Sequence, residues 1–190
     1  MLENRSIVRF LLAHMFFTNG LSTLFAFGGI YAAGTFGMSF TEVLYFGIAL
    51  NVTAGLGAAG FAWVDDLIGS KNTVLVALLA LTATGLALVF VENRTLFFGL
   101  GCLLGVFVGP AQAAGRALMA RLAPPKMETE AFRLYGLAGK ATVFAGPLFL
   151  GLATDFFQSQ RAGMSSILFF FAVGIVILLP LREPTQSLPD

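Results

Sequence analysis

The sequence predicts an all-α membrane protein of six transmembrane helices, and three features carry that reading. Hydrophobic residues make up 57% of the chain and charged residues only 11%, against about 25% charged residues in a typical soluble domain. The mean hydropathy is +0.87. Uncharged runs able to cross a bilayer core of ~30 Å, at ~1.5 Å per residue, recur along the whole chain. A bilayer offers no partner to a bare backbone N–H or C=O, and these runs are far longer than barrel strands, so helices are the admissible structure.

A transmembrane domain is expected over residues 1–184, with a cytoplasmic tail over 185–190. The first helix, about 7–33, rests on the absence of Asp, Glu, Lys and Arg between Arg9 and Glu42. Its start has the basic lead of a signal peptide, but the apolar run continues to about Tyr31 with His14 and Asn19 inside it, so it reads as a retained helix. The second, about 41–64, opens on Ser39 with Glu42 three residues later, a capping box that gives Glu42 a structural role. The third, about 72–91, is uncharged from Asn72 to Val91. The fourth, about 95–121, carries Gly101, Gly105 and Gly109 as a ridge for close helix approach. In the fifth, about 132–154, the uncharged stretch from Ala141 is too short alone and extends back past Lys140. The sixth runs over about 163–181.

Gly109-Pro110 and Gly146-Pro147 are expected to interrupt the hydrogen-bond ladders of the fourth and fifth helices, and Thr18-Asn19-Gly20 to loosen the first. Arg5, Arg9, Lys71, Arg121, Lys126, Arg133 and Arg182 fall at the ends and in the second and fourth links, whereas the other three links hold only Arg94 and Arg161. That asymmetry puts both termini in the cytoplasm. A short internal match supports a 3+3 inverted repeat: Asp66, Ser70 and Lys71 in the second link recur as Asp155, Ser159 and Arg161 in the fifth, on the opposite side of the membrane.

Several functions are excluded or disfavoured. No basic face or arm suggests nucleic-acid binding. The single cysteine, Cys102, forms no intrachain disulfide or cysteine-based metal site. No phosphate loop, zinc-binding His-Glu-x-x-His or paired acidic metal site appears, so no cofactor or metal is expected. A rhomboid-like protease would need a serine turn and a second-helix histidine; Gly163-Met164-Ser165-Ser166 sits at a helix start, and catalysis is not expected.

Charged and polar groups within the spans are the candidates for function. His14 either titrates in a coupled step or packs through hydrogen bonds. Asn19, Asn51 and Gln112 either contact a solute or bridge helices. Lys140 lies ~12 Å inside the fifth helix, counted from Phe132, and either lines a cavity or anchors the helix by snorkelling. These five are the candidate pathway residues. Asp66 and Arg116 are candidates for a cytoplasmic gate, to which the family resemblance given below adds Gly69 and Lys71. Asp66 would accept from backbone amides of the fifth helix, and Arg116 would serve as a gate or anchor rather than in substrate binding. Asp155 and Arg161 would form a weaker outer counterpart.

The stretch AWVDDLIGSK, Ala62 to Lys71, resembles the cytoplasmic signature of the major facilitator superfamily: Asp66, Gly69 and Lys71 match, while Ala62 replaces the usual glycine and Leu67 a basic residue. With GLSTLFAFGGIYAAGTFGMSF, NVTAGLGA, GVFVGPAQAAGRALMARLAPP and QSQRAG, the chain resembles the C-terminal six-helix half of bacterial permeases related to the autophagy-associated vacuolar amino-acid effluxers. Relatives often carry Arg at the position of His14 and Asp-Gly at Asn19-Gly20, which implies joint loss of an ion pair. The resemblance implies half of a major facilitator fold in a bacterial inner membrane, transporting a small solute such as an amino acid. Its partner would be an N-terminal six-helix half or a second copy, and the chain itself a fragment, a split subunit or a degenerate remnant. A non-transporting membrane scaffold is the alternative.

Overall fold

The computed structural model describes residues 2–124, 127–181 and 183, with side chains from residue 5 onward. Lys126, Arg182 and the expected tail over 185–190 lie outside the described residues. Seven α-helices follow in order: α1 (Leu2–Phe36), α2 (Phe40–Ile68), α3 (Ser70–Phe90), α4 (Arg94–Leu122), α5 (Glu128–Ala141), α6 (Ala145–Phe157) and α7 (Gln160–Leu178). Among the described residues, counting α5 and α6 as one broken span, six are long and apolar enough to cross a membrane.

The expected interruption of the fifth span is present, and three other details differ from the sequence expectation. The fifth span is two helices separated by a turn over 142–144. Pro147 lacks an N–H and its ring crowds the carbonyl four residues back, at Val143, so the ladder fails there. By contrast Pro110 sits buried inside α4 without ending it. The Thr18-Asn19-Gly20 stretch stays helical within α1. The helices also start earlier or end later than the apolar runs, because polar end turns add to each; α2 continues to Ile68 and takes Asp65 and Asp66 into its last turn.

The start of α2 carries the expected capping box. Ser39 Oγ accepts from Glu42 N at 3.4 Å, and Ser39 N donates to Glu42 Oε2 at 2.8 Å. Glu42 also pairs with Arg94, tying the α1–α2 link to the α3–α4 link.

The packing follows an internal exchange. α2 lies on α4, α3 on α4 and α7, and α7 on α1 and α6, while α5 and α6 lie on α1. Exchanging α1 with α4, α2 with α5–α6 and α3 with α7 carries the α3–α4 pair onto α7–α1 and the α2–α4 pair onto α5–α1, and leaves α3–α7 unchanged. This is the pattern of an inverted three-plus-three repeat. It sets α2, α4, α1 and α5–α6 in a row, with α3 and α7 behind.

Glycines allow the closest contacts in both halves. On α4 a Cβ at Gly101 would strike the Phe46 ring, one at Gly105 the Thr53 hydroxyl, and one at Gly109 the Ala54 carbonyl, so the ridge is where α2 sits. The two flanking spans, α2 and α5–α6, bury the smallest share of their apolar length.

Candidate functional site

Two polar clusters stand out, one at the end of the bundle that holds the α2–α3 and α4–α5 links and one in a cavity beside it. The first is built on the start of α3. Gly69 takes φ +85°, a backbone conformation that favours glycine, and turns the chain directly from α2 into α3. Free N–H groups at a helix start attract an anion, and the carboxylate of Glu183 accepts from Ser70 N at 3.2 Å and Lys71 N at 3.0 Å. Arg121 at the end of α4 then bridges two acids, donating to Glu183 Oε1 at 2.7 Å and to Asp65 Oδ2 at 3.2 Å. Ser70 Oγ donates to the same Asp65 oxygen at 3.0 Å. Lys71 Nζ reaches Leu179 O at 2.9 Å. The cluster therefore fastens α2, α3, α4 and the segment after α7 into one knot.

Of the four gate candidates, Gly69 and Lys71 belong to this knot. Asp66 is exposed and makes no ion pair among the described residues; its neighbour Asp65 occupies the acidic position instead. Arg116 is absent from the knot, five residues before Arg121 on α4. Sequence reasoning passed over Glu183, whose signal was a carboxylate immediately after the last apolar run, and used Arg121 only as a topology charge.

The second cluster lines an open cavity of about 660 Å³ between α1, α4 and α5. Its walls bring together His14, Gln112 and Arg116 with Thr18, Ser22 and Tyr135, and with the apolar Phe17, Leu21, Phe25 and Ala26. His14 is buried; its Nδ1 shares a 3.0 Å hydrogen bond with Thr18 Oγ1, and its ring stacks on Tyr135 with centroids 3.8 Å apart. Gly139 lets α5 approach this histidine, since a Cβ there would lie 3.2 Å from His14 Nε2. Arg116 projects from α4 about 9 Å before the helix ends. Tyr135, the α5 residue in the cavity wall, was missed because α5 is short and weakly apolar.

The remaining pathway candidates stand elsewhere. Asn19 is buried where α1 crosses the broken span: Nδ2 donates to Thr142 O, and Oδ1 accepts from Gly146 N at 2.8 Å. Asn51 is exposed on α2 and donates to its own Gly47 carbonyl at 2.8 Å. Lys140 is exposed in the last turn of α5 and is not among the cavity residues. At the opposite end Arg161 reaches the Val89 carbonyl of α3 at 3.3 Å rather than Asp155, and Thr35 Oγ1 donates to Gln160 Oε1 at 3.0 Å. No group of three or more metal-ligating side chains occurs among the described residues.

A family model described as vacuole effluxer Atg22 like matches residues 1–185. The chain belongs to the vacuole effluxer Atg22-like family. It is therefore an integral membrane protein with the six-helix architecture of half a major facilitator fold. Among curated relatives of the Atg22-like chain, an uncharacterized MFS-type transporter, YxiO of Bacillus subtilis, is 24% identical over 185 residues, covering 97% of this chain and 43% of the relative. Autophagy-related protein 22 of Cryptococcus neoformans is 26% identical over 185 residues, covering 89% and 32%. Autophagy-related protein 22-2 of Aspergillus niger is 26% identical over 195 residues, covering 95% and 32%. The chain thus spans less than half the length of these relatives.

Proposed function

We propose that this six-helix body moves a small solute across a membrane by rocking against a second six-helix body, with the solute held in the cavity between α1, α4 and α5. The observation that carries the reading is the cavity itself: an open recess of about 660 Å³ among α1, α4 and α5, largely apolar in surface but carrying His14, Thr18, Ser22, Gln112, Arg116 and Tyr135 in its wall. The two flanking spans of the row α2, α4, α1 and α5–α6 are also the least buried. Half a rocking pair needs such a face. The relatives' own length, more than twice that of the matched segment, supports a second body, which is an N-terminal half or a second copy. Amino acids are the solute class that the family resemblance suggests.

In this reading the end with the Gly69 knot faces the cytoplasm of a bacterium. The positive-inside rule supports it through Arg5, Arg9, Lys71, Arg121 and Arg133. The knot acts there as a fastener of the inner gate, with Asp65, Arg121 and Glu183 as its charged members.

The test is uptake of a panel of labelled amino acids and small organic acids into proteoliposomes containing the assembled protein. Saturable uptake of at least one, competed by its unlabelled form, is expected. An assembly that remains folded and two-bodied but carries none of them would overturn the proposal.

A further inference from the structure

We propose that Arg116 is the anion-binding group of the cavity and that the bound molecule is a small carboxylic acid whose carboxylate it grips. The inference rests on the transport reading for that molecule being cargo.

Two arginines project from the last third of α4, and they differ sharply. Arg121 is held between two carboxylates, at 2.7 Å and 3.2 Å. Arg116 makes no ion pair or hydrogen bond with any described residue, and no acidic side chain lines the cavity it enters. Arg116 is exposed where it lines the cavity, so its guanidinium is open to an incoming anion. The planar fork of Arg matches a carboxylate with two parallel hydrogen bonds, which a lysine cannot do.

The surroundings narrow the class. Gln112, one turn deeper on the same helix, and Ser22 across the recess on α1 are neutral groups able to complete a carboxylate's remaining hydrogen bonds or bind a second polar substituent. His14 is already engaged by Thr18 and stacked on Tyr135, so it forms wall rather than hook. Beyond Ser22 the wall turns apolar at Phe25 and Ala26. One cation, a few neutral polar groups and an apolar end suit a monocarboxylate with a short apolar remainder better than a polyanion, which would need a second cation. The recess opens on the row of α1, α4 and α5, away from the backing helices α3 and α7.

The test is thermal stabilisation of the purified full-length protein in a neutral maltoside detergent. The probes are acetate, lactate, L-alanine, L-valine and succinate, each with its amide where one exists, and phosphatidylglycerol as an anionic lipid. At least one carboxylate should raise the melting temperature while its amide does not, and Arg116→Gln should weaken the apparent affinity by about tenfold or more. Arg116→Lys should fall between. Should Arg116→Gln not fold, protection of a thiol at Ser22→Cys from maleimide, in a Cys102→Ser background with Arg116 intact, reads the same site. No response to any carboxylate in both measurements, equal affinity in Arg116→Gln, or a response to phosphatidylglycerol alone would each overturn the inference. Carboxylate binding without flux leaves it standing and overturns transport. Flux of a neutral solute at an unchanged rate in Arg116→Gln does the reverse.

Discussion

Asn19 accepts a hydrogen bond from the backbone N–H of Gly146 at 2.8 Å, and the same carboxamide donates to the Thr142 carbonyl on the other side of the break. One side chain thus satisfies the Gly146 N–H, which the interrupted span leaves without a helical partner and which cannot turn to water in a bilayer, and adds a second donor to the Thr142 carbonyl, which also accepts from Ala145 N at 2.8 Å. The fit is close on both sides, since a Cβ at Gly146 would lie 2.6 Å from Asn19 Oδ1. Thr23 Oγ1 adds a 2.8 Å hydrogen bond to the Asn19 carbonyl.

Replacing Asn19 by Leu removes both bonds at once. A loss of about 1–2 kcal/mol of stability is expected, the upper range for interhelical hydrogen bonds in membranes. Hydrogen exchange should speed up at Gly146 more than at amides in the middle of α3. Equal protection at Gly146 in the variant would show that the break is held by other groups.

The glycine ridge gives a prediction with a built-in control. Gly109→Ala places a methyl group against the Ala54 backbone carbonyl, whereas Gly99 and Gly47 have open space where a Cβ would go. Gly109→Ala should cost about 1–3 kcal/mol as overpacking, and Gly99→Ala and Gly47→Ala should change stability by less than about 0.5 kcal/mol. Melting in detergent checks the contrast; similar melting temperatures for all three would contradict the α2–α4 packing.

The knot at Gly69 separates two adjacent aspartates. Asp65→Asn weakens the Arg121 pair and should cost about 1–3 kcal/mol, because the partner stays behind in a partly shielded site. Asp66→Asn, at an exposed position, should cost less than about 0.5 kcal/mol. Comparing the two melting curves decides which acid does the fastening.

Gly69→Ala is expected to be damaging for two reasons at one position. The backbone there has φ +85°, and a Cβ would lie 2.8 Å from Glu183 Oε2. A loss of about 1–2 kcal/mol is expected from the backbone strain alone. Pairing it with Glu183→Gln, which loosens the same carboxylate, should give less than the sum of the two single losses.

The fold was legible because the bilayer imposes one rule on every span: an apolar run of sufficient length is a helix, and a run such as Asn72 to Val91 admits no other reading. Capping was legible for the same local reason, since Ser39 and Glu42 are three residues apart. The knot was half legible. Gly69 and Lys71 were marked by the resemblance of their loop to the facilitator signature, but which of Asp65 and Asp66 turns inward depends on the last turn of α2, and Glu183 lies more than a hundred residues from the amides it binds. The cavity was legible as an inventory of polar residues and not as a place: His14, Gln112 and Arg116 meet because α1 and α4 are neighbours, whereas Asn19 is consumed by the break expected at Gly146-Pro147, whose contact with α1 only the structure reveals.

The central claim is that this body works against a second one. The most direct measurement is the count of six-helix bodies in the assembly that carries this chain, extracted from its native membrane in mild detergent and weighed by native mass spectrometry. The account predicts two, as a second copy, a separate partner or another part of a longer chain. A single six-helix body, at every concentration and again in lipid nanodiscs, would contradict it.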